Sequence, residues 1–206
     1  MSNGRFIVLE GLDGAGTTTQ GERLVAALEA LGRPALFTFE PSDLPVGLIT
    51  RAVIQGAPDA PNPTLLPWLF AADRADHLDR VIQPAMAAGA VVISDRFVGS
   101  SLAYQTLSAP FEQIVRLNAD FQAADLTIYL EVPVTVCLER IEARRLSRGG
   151  VPPDLFEKRS ALERVEVGYD KAMKFLKKRG DNVVRLDGTR AVEDLAREIL
   201  ALVQAL

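Results

Sequence analysis

The sequence has 206 residues, of which 48% are hydrophobic and 24% charged, a composition that is typical of globular proteins and argues against disorder, collagen and coiled coil. One cysteine and one histidine argue against a disulfide framework and against zinc held by Cys and His, and a net charge of −4 argues against a nucleic-acid duplex as the main partner. No apolar run approaches the ~20 residues of a membrane span, and the N-terminal residues do not read as a signal peptide, so we expect a cytoplasmic protein without a membrane partner.

Five short apolar segments have the length and the content of Val, Ile and Phe that are typical of buried parallel strands. In chain order they cover residues 6–10, 35–39, 91–95, 127–132 and 183–186. Apolar residues at helical spacing indicate helices over residues 18–31, 64–88, 134–145, 154–179 and 191–206. This alternation predicts one α/β domain over residues 1–206, in which helices flank an open, five-stranded parallel sheet.

A glycine-rich segment follows the first predicted strand, at the edge where open parallel sheets bind their ligands. Gly11, Gly16 and Thr18 match the phosphate-binding pattern G-x-x-x-x-G-K-[ST]. In such a P-loop, main-chain N–H groups and the N-terminus of the next helix hold a polyphosphate, and the Thr18 hydroxyl is the expected Mg²⁺ ligand. The predicted ATP-binding residues are Gly11, Leu12, Asp13, Gly14, Ala15, Gly16, Thr17, Thr18 and Thr19.

Position 17 departs from the pattern, because Thr17 stands where the motif has lysine. The lysine would place a charge beside the β- and γ-phosphates, and a hydroxyl cannot replace that charge. Three interpretations stay open: another segment supplies the cation, the protein binds nucleotide with little or no turnover, or the loop is a structural turn. Every lysine lies at Lys158 or beyond, so arginines are the candidate cations in the rest of the chain.

Further motifs occur in order along nearly the whole chain. They are F-I-V-L-E-G-L-D-G-A-G at 6–16, Glu40-Pro41, L-F-A-A-D-R-A at 69–75, D-R-F-V-G-S-S-L-A-Y-Q at 95–105, and D-L-F-E with L-E-R-V-E-V-G-Y between 154 and 169. Together they resemble the motifs of the bacterial type of thymidylate kinase (dTMP kinase). The resemblance implies the three-layer α/β/α fold of P-loop nucleoside monophosphate kinases. It also implies a homodimer that, with Mg²⁺, transfers the γ-phosphate of ATP to dTMP in dTTP biosynthesis.

Part of the acceptor site implied by the resemblance lies on the helix predicted at 64–88. Phe70 corresponds to the aromatic residue that stacks on thymine, and Arg74, four residues on and so on the same helix face, corresponds to the arginine at the base edge. Arg51 aligns with an arginine that reaches the acceptor phosphate. The sequence lacks the arginine and the glycines that surround the E-P turn in the family. The other matching positions in this part of the chain are Asp13, Glu40 and Pro41.

The segment after the third predicted strand matches most closely. Asp95 and Arg96 come directly after that strand, where the resemblance implies that Arg96 clamps the acceptor phosphate and that Asp95 organises Mg²⁺ or Arg96. Ser101, Tyr104 and Gln105 correspond to residues near the base and the sugar. There Tyr104 would crowd a ribose 2′-hydroxyl and favour deoxynucleotides.

The family divides by whether its catalytic arginine lies in the P-loop or in a lid over the phosphates. Position 14 is glycine, so the chain resembles the lid-arginine type. The predicted lid, at about residues 143–154, contains arginines that are candidates for the missing cation, since a closed lid also excludes water. The predicted catalytic residues are Arg96, Asp95, Arg148, Arg144 and Arg145, and the predicted metal ligands are Thr18 and Asp95.

Other hypotheses stay open at this point. One is a kinase for another nucleoside monophosphate or for a deoxynucleoside, a second is a nucleotide-binding protein without turnover, and a third is a structural protein that binds no nucleotide. We expect no chemical role for Cys137, interpreted as a core residue of the helix at 134–145. The same holds for His77, interpreted as lying on a polar helix face beside Asp76 and Asp79.

Overall fold

A parallel sheet forms the centre of the computed structural model, which describes residues 4–147, 149 and 155–206. Its strands are β1 (Arg5–Gly11), β2 (Ala35–Phe39), β3 (Val91–Asp95), β4 (Leu126–Glu131) and β5 (Val183–Asp187). They are arranged in the order β2-β3-β1-β4-β5, and all of these pairings are parallel. The five-stranded parallel sheet predicted from the sequence is confirmed.

Helices cover both faces of the sheet. They are α1 (Thr17–Ala30), α2 (Pro45–Ile54), α3 (Leu66–His77), α4 (Gln83–Ala87), α5 (Val98–Tyr104), α6 (Phe111–Leu117), α7 (Val134–Ser147), α8 (Arg159–Arg179) and α9 (Val192–Gln204). Neighbouring residues of a strand point to opposite faces: Leu9 lies next to Gly21 of α1, whereas Glu10 accepts a hydrogen bond from Ser100 of α5. Helix α9 packs beside α1 and α8 beside α5, which agrees with the predicted α/β/α layers.

The helix predicted over residues 64–88 is not one regular α-helix. A 3₁₀ turn (Pro63–Leu65) leads into α3, and a π-helical turn (Leu78–Ile82) separates α3 from α4. The physical reason is Pro84 at the start of α4, because a proline has no N–H to donate and its ring clashes with the carbonyl four residues earlier in an α-helix. The wider turn just before it accommodates the proline.

The sequence pattern does not predict the three short helices α2, α5 and α6. They have ten, seven and seven residues, which is too short for a helical repeat of apolar residues to stand out. The helix predicted at 154–179 ends at Arg179 as expected but begins at Arg159, because residues 155–158 are not helical; residue 154 lies outside the described residues. These differences matter for the site, because α2 and α5 follow the strands at the predicted ligand edge.

The core lies on both sides of the sheet, and residues such as Ile7 and Ile93 in its strands are fully buried. Leu9 of β1 and Phe39 of β2 are both in register with Asp95 of β3, so the carboxyl ends of these strands meet at one edge. The segments that follow the three strands therefore share this edge. In the part of the chain that the structure describes, no helix combines the length and the hydropathy required to cross a membrane.

Candidate active site

The P-loop connects β1 to α1 and lines a cavity of about 460 Å³. Gly14 and Gly16 have φ angles of +84° and +98°, which glycine adopts without steric cost. Helix α1 has Gly16 at its N-cap, and no side chain caps its first N–H groups. These donors and the positive end of the helix dipole are available to an anion, so the loop can hold a polyphosphate through its main chain.

Thr17 and Thr18 are the first two residues of α1, and both line this cavity. Thr17 is only 5% exposed and presents a hydroxyl where the motif would present an ammonium group. Positive charge in the described part of the wall comes from other segments. The charged residues of the wall are Arg96, Arg140 and Arg144, with Asp13, Glu22 and Asp95.

Thr18 and Asp95 join the first turn of α1 to the end of β3. The Thr18 Oγ1 hydroxyl donates to Asp95 Oδ2 at 2.5 Å. The other oxygen of this carboxylate, Oδ1, is buried and has no hydrogen-bond partner among the described residues. A buried carboxylate oxygen needs a partner, and carboxylate and hydroxyl oxygens suit Mg²⁺. The two residues therefore fit a magnesium site.

Arg96 lies between the P-loop and the acceptor side of the site. Its Nη1 donates to the Gly11 carbonyl at 2.7 Å and to the Tyr169 hydroxyl at 3.0 Å, and its Nη2 donates to Asp13 Oδ1 at 2.6 Å. Its φ angle is +79°, in the left-handed region where such strain often marks a functional site. Burial acts against the charge, but Tyr104 and Asp13 raise the pKa of Arg96 well above its ordinary value, so the guanidinium stays charged.

Glu10, near the end of β1, holds the segment that carries Arg96. Its fully buried carboxylate accepts from the N–H groups of Phe97 and Ser100, both at 3.0 Å. The hydroxyls of Ser100, at 2.6 Å, and Tyr169, at 3.0 Å, also donate to it. Burial raises the pKa of Glu10, although the Ser100 hydrogen bond and the Arg96 charge act in the opposite direction. Both hydroxyls accept from Arg96 as well, so they link the carboxylate to the guanidinium.

A smaller cavity of about 130 Å³ opens beside Arg96. The Tyr104 hydroxyl donates to Asp13 Oδ2 and accepts from the Asp13 N–H, both at 3.1 Å, which fixes the ring. Gln105 Oε1 is buried without a partner among the described residues. Aromatic rings, an amide and a guanidinium suit a planar base that carries a phosphate. The predicted residues that line this cavity are Asp13, Glu40, Pro41, Phe70, Arg96, Tyr104 and Gln105.

Arg74 and Ser101, which the resemblance places near the base, are buried and are not among the described residues that line this cavity. The Arg74 guanidinium donates to Glu40 Oε2 at 2.5 Å, to Ser101 Oγ at 3.1 Å and to Asn118. Since Glu40 does line the cavity, Arg74 supports the wall through this carboxylate. The contact of Arg74 with the base edge stays a prediction.

The structure contradicts the interpretation of His77. Its ring is 1% exposed, with Nε2 at 2.6 Å from Thr38 Oγ1 and Nδ1 at 3.4 Å from Glu40 Oε1. Residues one or two apart do not share a helix face, so Asp76 and Asp79 do not indicate where His77 points. Cys137 is a core residue as predicted, and burial raises the pKa of its thiol to about 11.

Arg51 lines a cavity together with Thr18 and Asp95 and is not among the described residues that line the acceptor cavity. Its Nη2 donates to the Pro41 carbonyl at 2.8 Å and to Asp43 Oδ1 at 3.2 Å. This third cavity has a volume of about 290 Å³ and is also lined by Arg96. This cavity joins the residues around the P-loop to those around the acceptor, so its position is compatible with the predicted contact to a phosphate.

The predicted lid arginines have different surroundings. Arg144 lines the P-loop cavity and donates to Glu157 Oε1 at 2.9 Å. Arg145 donates to Glu142 through two bonds of 2.7 Å and is not among the described residues of the cavity wall. Arg148 lies outside the described residues, as does most of the segment after Ser147, where α7 ends.

Sequence reasoning missed Arg140, Phe156 and Tyr169. Arg140 lines the P-loop cavity, Phe156 lines the acceptor cavity and Tyr169 contacts Arg96. The signal for Arg140 is its position four residues before Arg144, which places both on one helix face. Phe156 and Tyr169 lie inside the quoted motifs, but no local spacing brings them to the site.

Comparisons with known proteins agree with this geometry. The sequence profile of thymidylate kinase matches residues 9–199. The chain is 35% identical to a probable thymidylate kinase of Thermococcus kodakarensis, over 98% of each chain. It is 41% identical to a thymidylate kinase of Geobacter sulfurreducens, over 81% of this chain and 82% of the relative. A thymidylate kinase of Methylobacillus flagellatus is 35% identical, over 98% of this chain and 97% of its own.

Proposed function

Because the chain belongs to the thymidylate kinase family, we propose that the P-loop, Arg96 and the acceptor cavity form the site at which it phosphorylates dTMP. The protein is an enzyme that transfers a phosphoryl group to dTMP in the synthesis of dTTP. The observation that carries the assignment of the site is the position of Arg96, which contacts the P-loop and lines both the phosphate cavity and the acceptor cavity. Neither the structure nor the comparisons favour a protein without turnover.

The reaction requires positioning more than proton transfer. The second pKa of a phosphate monoester is about 6, so the acceptor is mostly a dianion at pH 7 and needs no strong general base. The difficult steps are to bring two anions together and to stabilise the charge that spreads over the transferred group. The residues to identify are therefore donors and cations.

The N–H groups of the P-loop and of the first turn of α1 bind the phosphates of ATP in this proposal. Thr18 and Asp95 would hold Mg²⁺, because the buried Asp95 Oδ1 lacks a partner among the described residues. When bound there, Mg²⁺ supplies positive charge to the β- and γ-phosphates. The family to which the chain belongs supports ATP as the donor.

Arg96 binds the acceptor phosphate and the transferred group. Its guanidinium is charged and held on several sides by Gly11, Asp13, Ser100 and Tyr169, so little reorganisation is needed when the phosphates bind. An arginine can contact two phosphate oxygens with parallel N–H donors. This geometry supports a clamp between donor and acceptor.

Arg144 is the candidate for a cation on the donor side. It lines the P-loop cavity, and its bond to Glu157 holds it near this position. A cation that stabilises the transition state of phosphoryl transfer accelerates related reactions by ~10³–10⁵. Arg145 and Arg148 stay candidates through the lid pattern of the family.

Tyr104 and Phe70 shape the acceptor cavity for a pyrimidine deoxynucleotide. Phe70 offers a ring for stacking on the base, and Tyr104, which is held by Asp13, would crowd a ribose 2′-hydroxyl in the same cavity. The side-chain carbonyl oxygen of Gln105 has no hydrogen-bond partner among the described residues and could accept from a donor on the base. These features support dTMP over ribonucleotides.

The enzyme acts as a cytoplasmic homodimer in this proposal, as the family resemblance implies. Helices α2 and α3 pack against each other, and large apolar side chains on α2 and around the start of α3 are exposed. Clusters of this kind mark association surfaces. The residues are Leu48, Ile49, Leu65 and Trp68. Sedimentation of the protein and of Trp68→Asp tests the dimer, which the charged variant should weaken.

A coupled assay of ADP release with ATP, dTMP and Mg²⁺ tests the proposed function. We expect turnover with dTMP, a lower kcat/KM with dUMP and the lowest with UMP. If calorimetry detects binding of ATP and dTMP but no ADP is formed, the protein binds nucleotide without turnover. If neither nucleotide binds, the assigned site is wrong.

A further inference from the structure

Arg140 of α7 contacts the P-loop itself, in a chain whose P-loop lacks the motif lysine. Its Nη1 donates to the carbonyl oxygens of Gly14 and Ala15, both at 3.3 Å. Its Nη2 donates to the carbonyl oxygen of Gly188, which follows β5, at 3.1 Å. One guanidinium thus connects the P-loop to the segment that follows β5. The mechanism proposed above for phosphoryl transfer assigns no role to Arg140.

Close packing fixes where Arg140 stands. A Cβ at Gly14 would lie 2.6 Å from the Cys137 carbonyl oxygen, so the P-loop rests directly on the main chain of α7. Arg140 lies three residues after Cys137, and Arg144 lies four residues further. These positions share one helix face, and both arginines line the P-loop cavity. Because α7 lies this close to the P-loop, the Arg140 side chain reaches the loop.

Arg140 differs from the other arginines of the cavity wall in its partners. Arg96 is paired with Asp13 at 2.6 Å and Arg144 with Glu157 at 2.9 Å. The contacts of Arg140 among the described residues are to uncharged carbonyl groups, without a carboxylate at ion-pair distance. Its positive charge is therefore available to a polyphosphate in the cavity that it lines.

The contacts also orient the loop. In a trans peptide the C=O and the N–H point in opposite directions. With the Ala15 carbonyl held by Arg140, the N–H of Gly16 in the same peptide points away from the Arg140 guanidinium. A hydrogen bond to the carbonyl also polarises the peptide and strengthens the N–H as a donor. Arg140 can thus act on bound phosphates both by its charge and through the loop.

We propose that Arg140 is a positioning residue that takes over, in this chain, the electrostatic task of the motif lysine. It holds the P-loop from α7 and provides, beside the triphosphate, a positive charge that no carboxylate of the described residues pairs with. The inference rests on the proposed binding of ATP phosphates by the P-loop. It predicts that the effects of substitutions at Arg140 and at position 17 on kcat/KM are coupled. A lysine at position 17 would reduce the need for the charge of Arg140.

The first test uses inorganic tripolyphosphate as a competitor of ATP, so that contacts to the base and the ribose play no part. We expect Arg140→Ala to weaken inhibition by tripolyphosphate about tenfold and to raise KM for ATP similarly, while KM for dTMP changes less than about twofold. Arg140→Lys keeps the charge and should recover part of the loss. The control is Arg197→Ala, which removes an exposed guanidinium from α9 and equals Arg140→Ala in net charge.

The second test is a double-mutant cycle with Thr17→Lys, measured as kcat/KM for ATP. If Arg140 replaces the lysine, its loss costs at least about threefold less when Lys is present at position 17. A merely structural role would give equal costs in both backgrounds and would lower the melting temperature of Arg140→Ala and Arg140→Lys alike.

Equal inhibition of the parent and Arg140→Ala by tripolyphosphate overturns the inference, whether or not Thr17→Lys is active. Equal costs in the cycle overturn it as well. If the parent neither turns over ATP nor is inhibited by tripolyphosphate, the proposed ATP site fails instead, which separates the two failures.

Discussion

The Thr18 hydroxyl and the Asp95 carboxylate lie 2.5 Å apart where the first turn of α1 meets the end of β3. We predict that Thr18→Val, which keeps the shape but removes the hydroxyl, lowers kcat about 10- to 100-fold and raises the Mg²⁺ concentration needed for half-maximal rate. Thr18→Ser retains the oxygen and should stay close to the parent. The measurement is the rate of ADP release against Mg²⁺ concentration, and an unchanged Mg²⁺ dependence of Thr18→Val would exclude this residue as a ligand.

Substitutions of Arg96 should separate charge from geometry. Arg96→Ala is expected to lower kcat about 10³-fold, as for other arginines that stabilise phosphoryl transfer. Arg96→Lys should recover little, because an ammonium cannot contact Gly11, Asp13 and a phosphate with the same fixed fork. Steady-state kinetics with dTMP measures both, and parent-like turnover of Arg96→Lys would show that the fork is not required.

The Tyr169 hydroxyl links α8 to Arg96, Ser100 and Glu10. Tyr169→Phe keeps the ring stacked on Tyr129, at 5.0 Å between centroids, and removes only this hydroxyl. We expect kcat to fall about tenfold, with a loss of about 1 kcal/mol in the free energy of unfolding. The control is Tyr129→Phe, which removes the hydroxyl from the other ring of the stack. A loss of stability without any loss of kcat would make Tyr169 a packing residue only.

The free energy of unfolding should depend on pH through the protonation of Glu10. Burial raises its pKa in the folded protein, so the folded state binds this proton more tightly than the unfolded state. Its contribution favours folding fully below the unfolded pKa, near 4.5, and is lost as the pH rises through the folded pKa. The stability of the parent relative to Glu10→Gln should therefore decrease with pH in this window. Urea unfolding at a series of pH values measures the difference, and an increase with pH would contradict the prediction.

The close contact between the P-loop and α7 can be tested by adding one methyl group. Gly14→Ala places a Cβ 2.6 Å from the Cys137 carbonyl oxygen, at a φ of +84°. Gly32→Ala has a φ of +73° but open space around the new methyl group, so it isolates the backbone strain of about 1–2 kcal/mol. We expect Gly14→Ala to cost about 1–3 kcal/mol more in the free energy of unfolding and to raise KM for ATP. Equal costs for the two variants would mean that the loop and α7 shift apart freely.

The sheet was predictable because fully buried strands appear as short apolar runs in the sequence. β2 and β3 have the predicted bounds, β1 and β4 differ from theirs by one residue at each end, and β5 is one residue longer at its C-terminal end. The short helices α2, α5 and α6 were not predictable in this way, since contacts with the sheet and its neighbours, rather than an apolar repeat, define them. The π-helical turn depends on how Pro84 is accommodated, which a periodic pattern cannot show.

The parts of the site that are contiguous in sequence could be predicted, and the parts that depend on packing could not. The P-loop and the segment from Asp95 to Gln105 are each recognised from the spacing of residues within one continuous stretch of sequence. Arg140 and Tyr169 reach the site because α7 packs under Gly14 and α8 packs against α5. The prediction for His77 was wrong because its charged neighbours in sequence indicated a polar surface, whereas the ring is buried and faces Glu40 and Thr38.

The π-helical turn at Leu78–Ile82 sets the rotation of α4 relative to α3 about the helix axis, and these two helices pack against different parts of the protein. Before it, Phe70 lines the acceptor cavity and Arg74 supports the cavity wall through Glu40, and after it α4 packs on β3. The wide turn holds one residue more than an α-helical turn, which corresponds to a phase difference of about 100° between the two helices. Deleting a single residue here would rotate the surface that carries Phe70 about the helix axis by this angle, while every side chain of the candidate site kept its identity. Insertions and deletions in this stretch are therefore a means by which related enzymes could re-aim the base-binding surface.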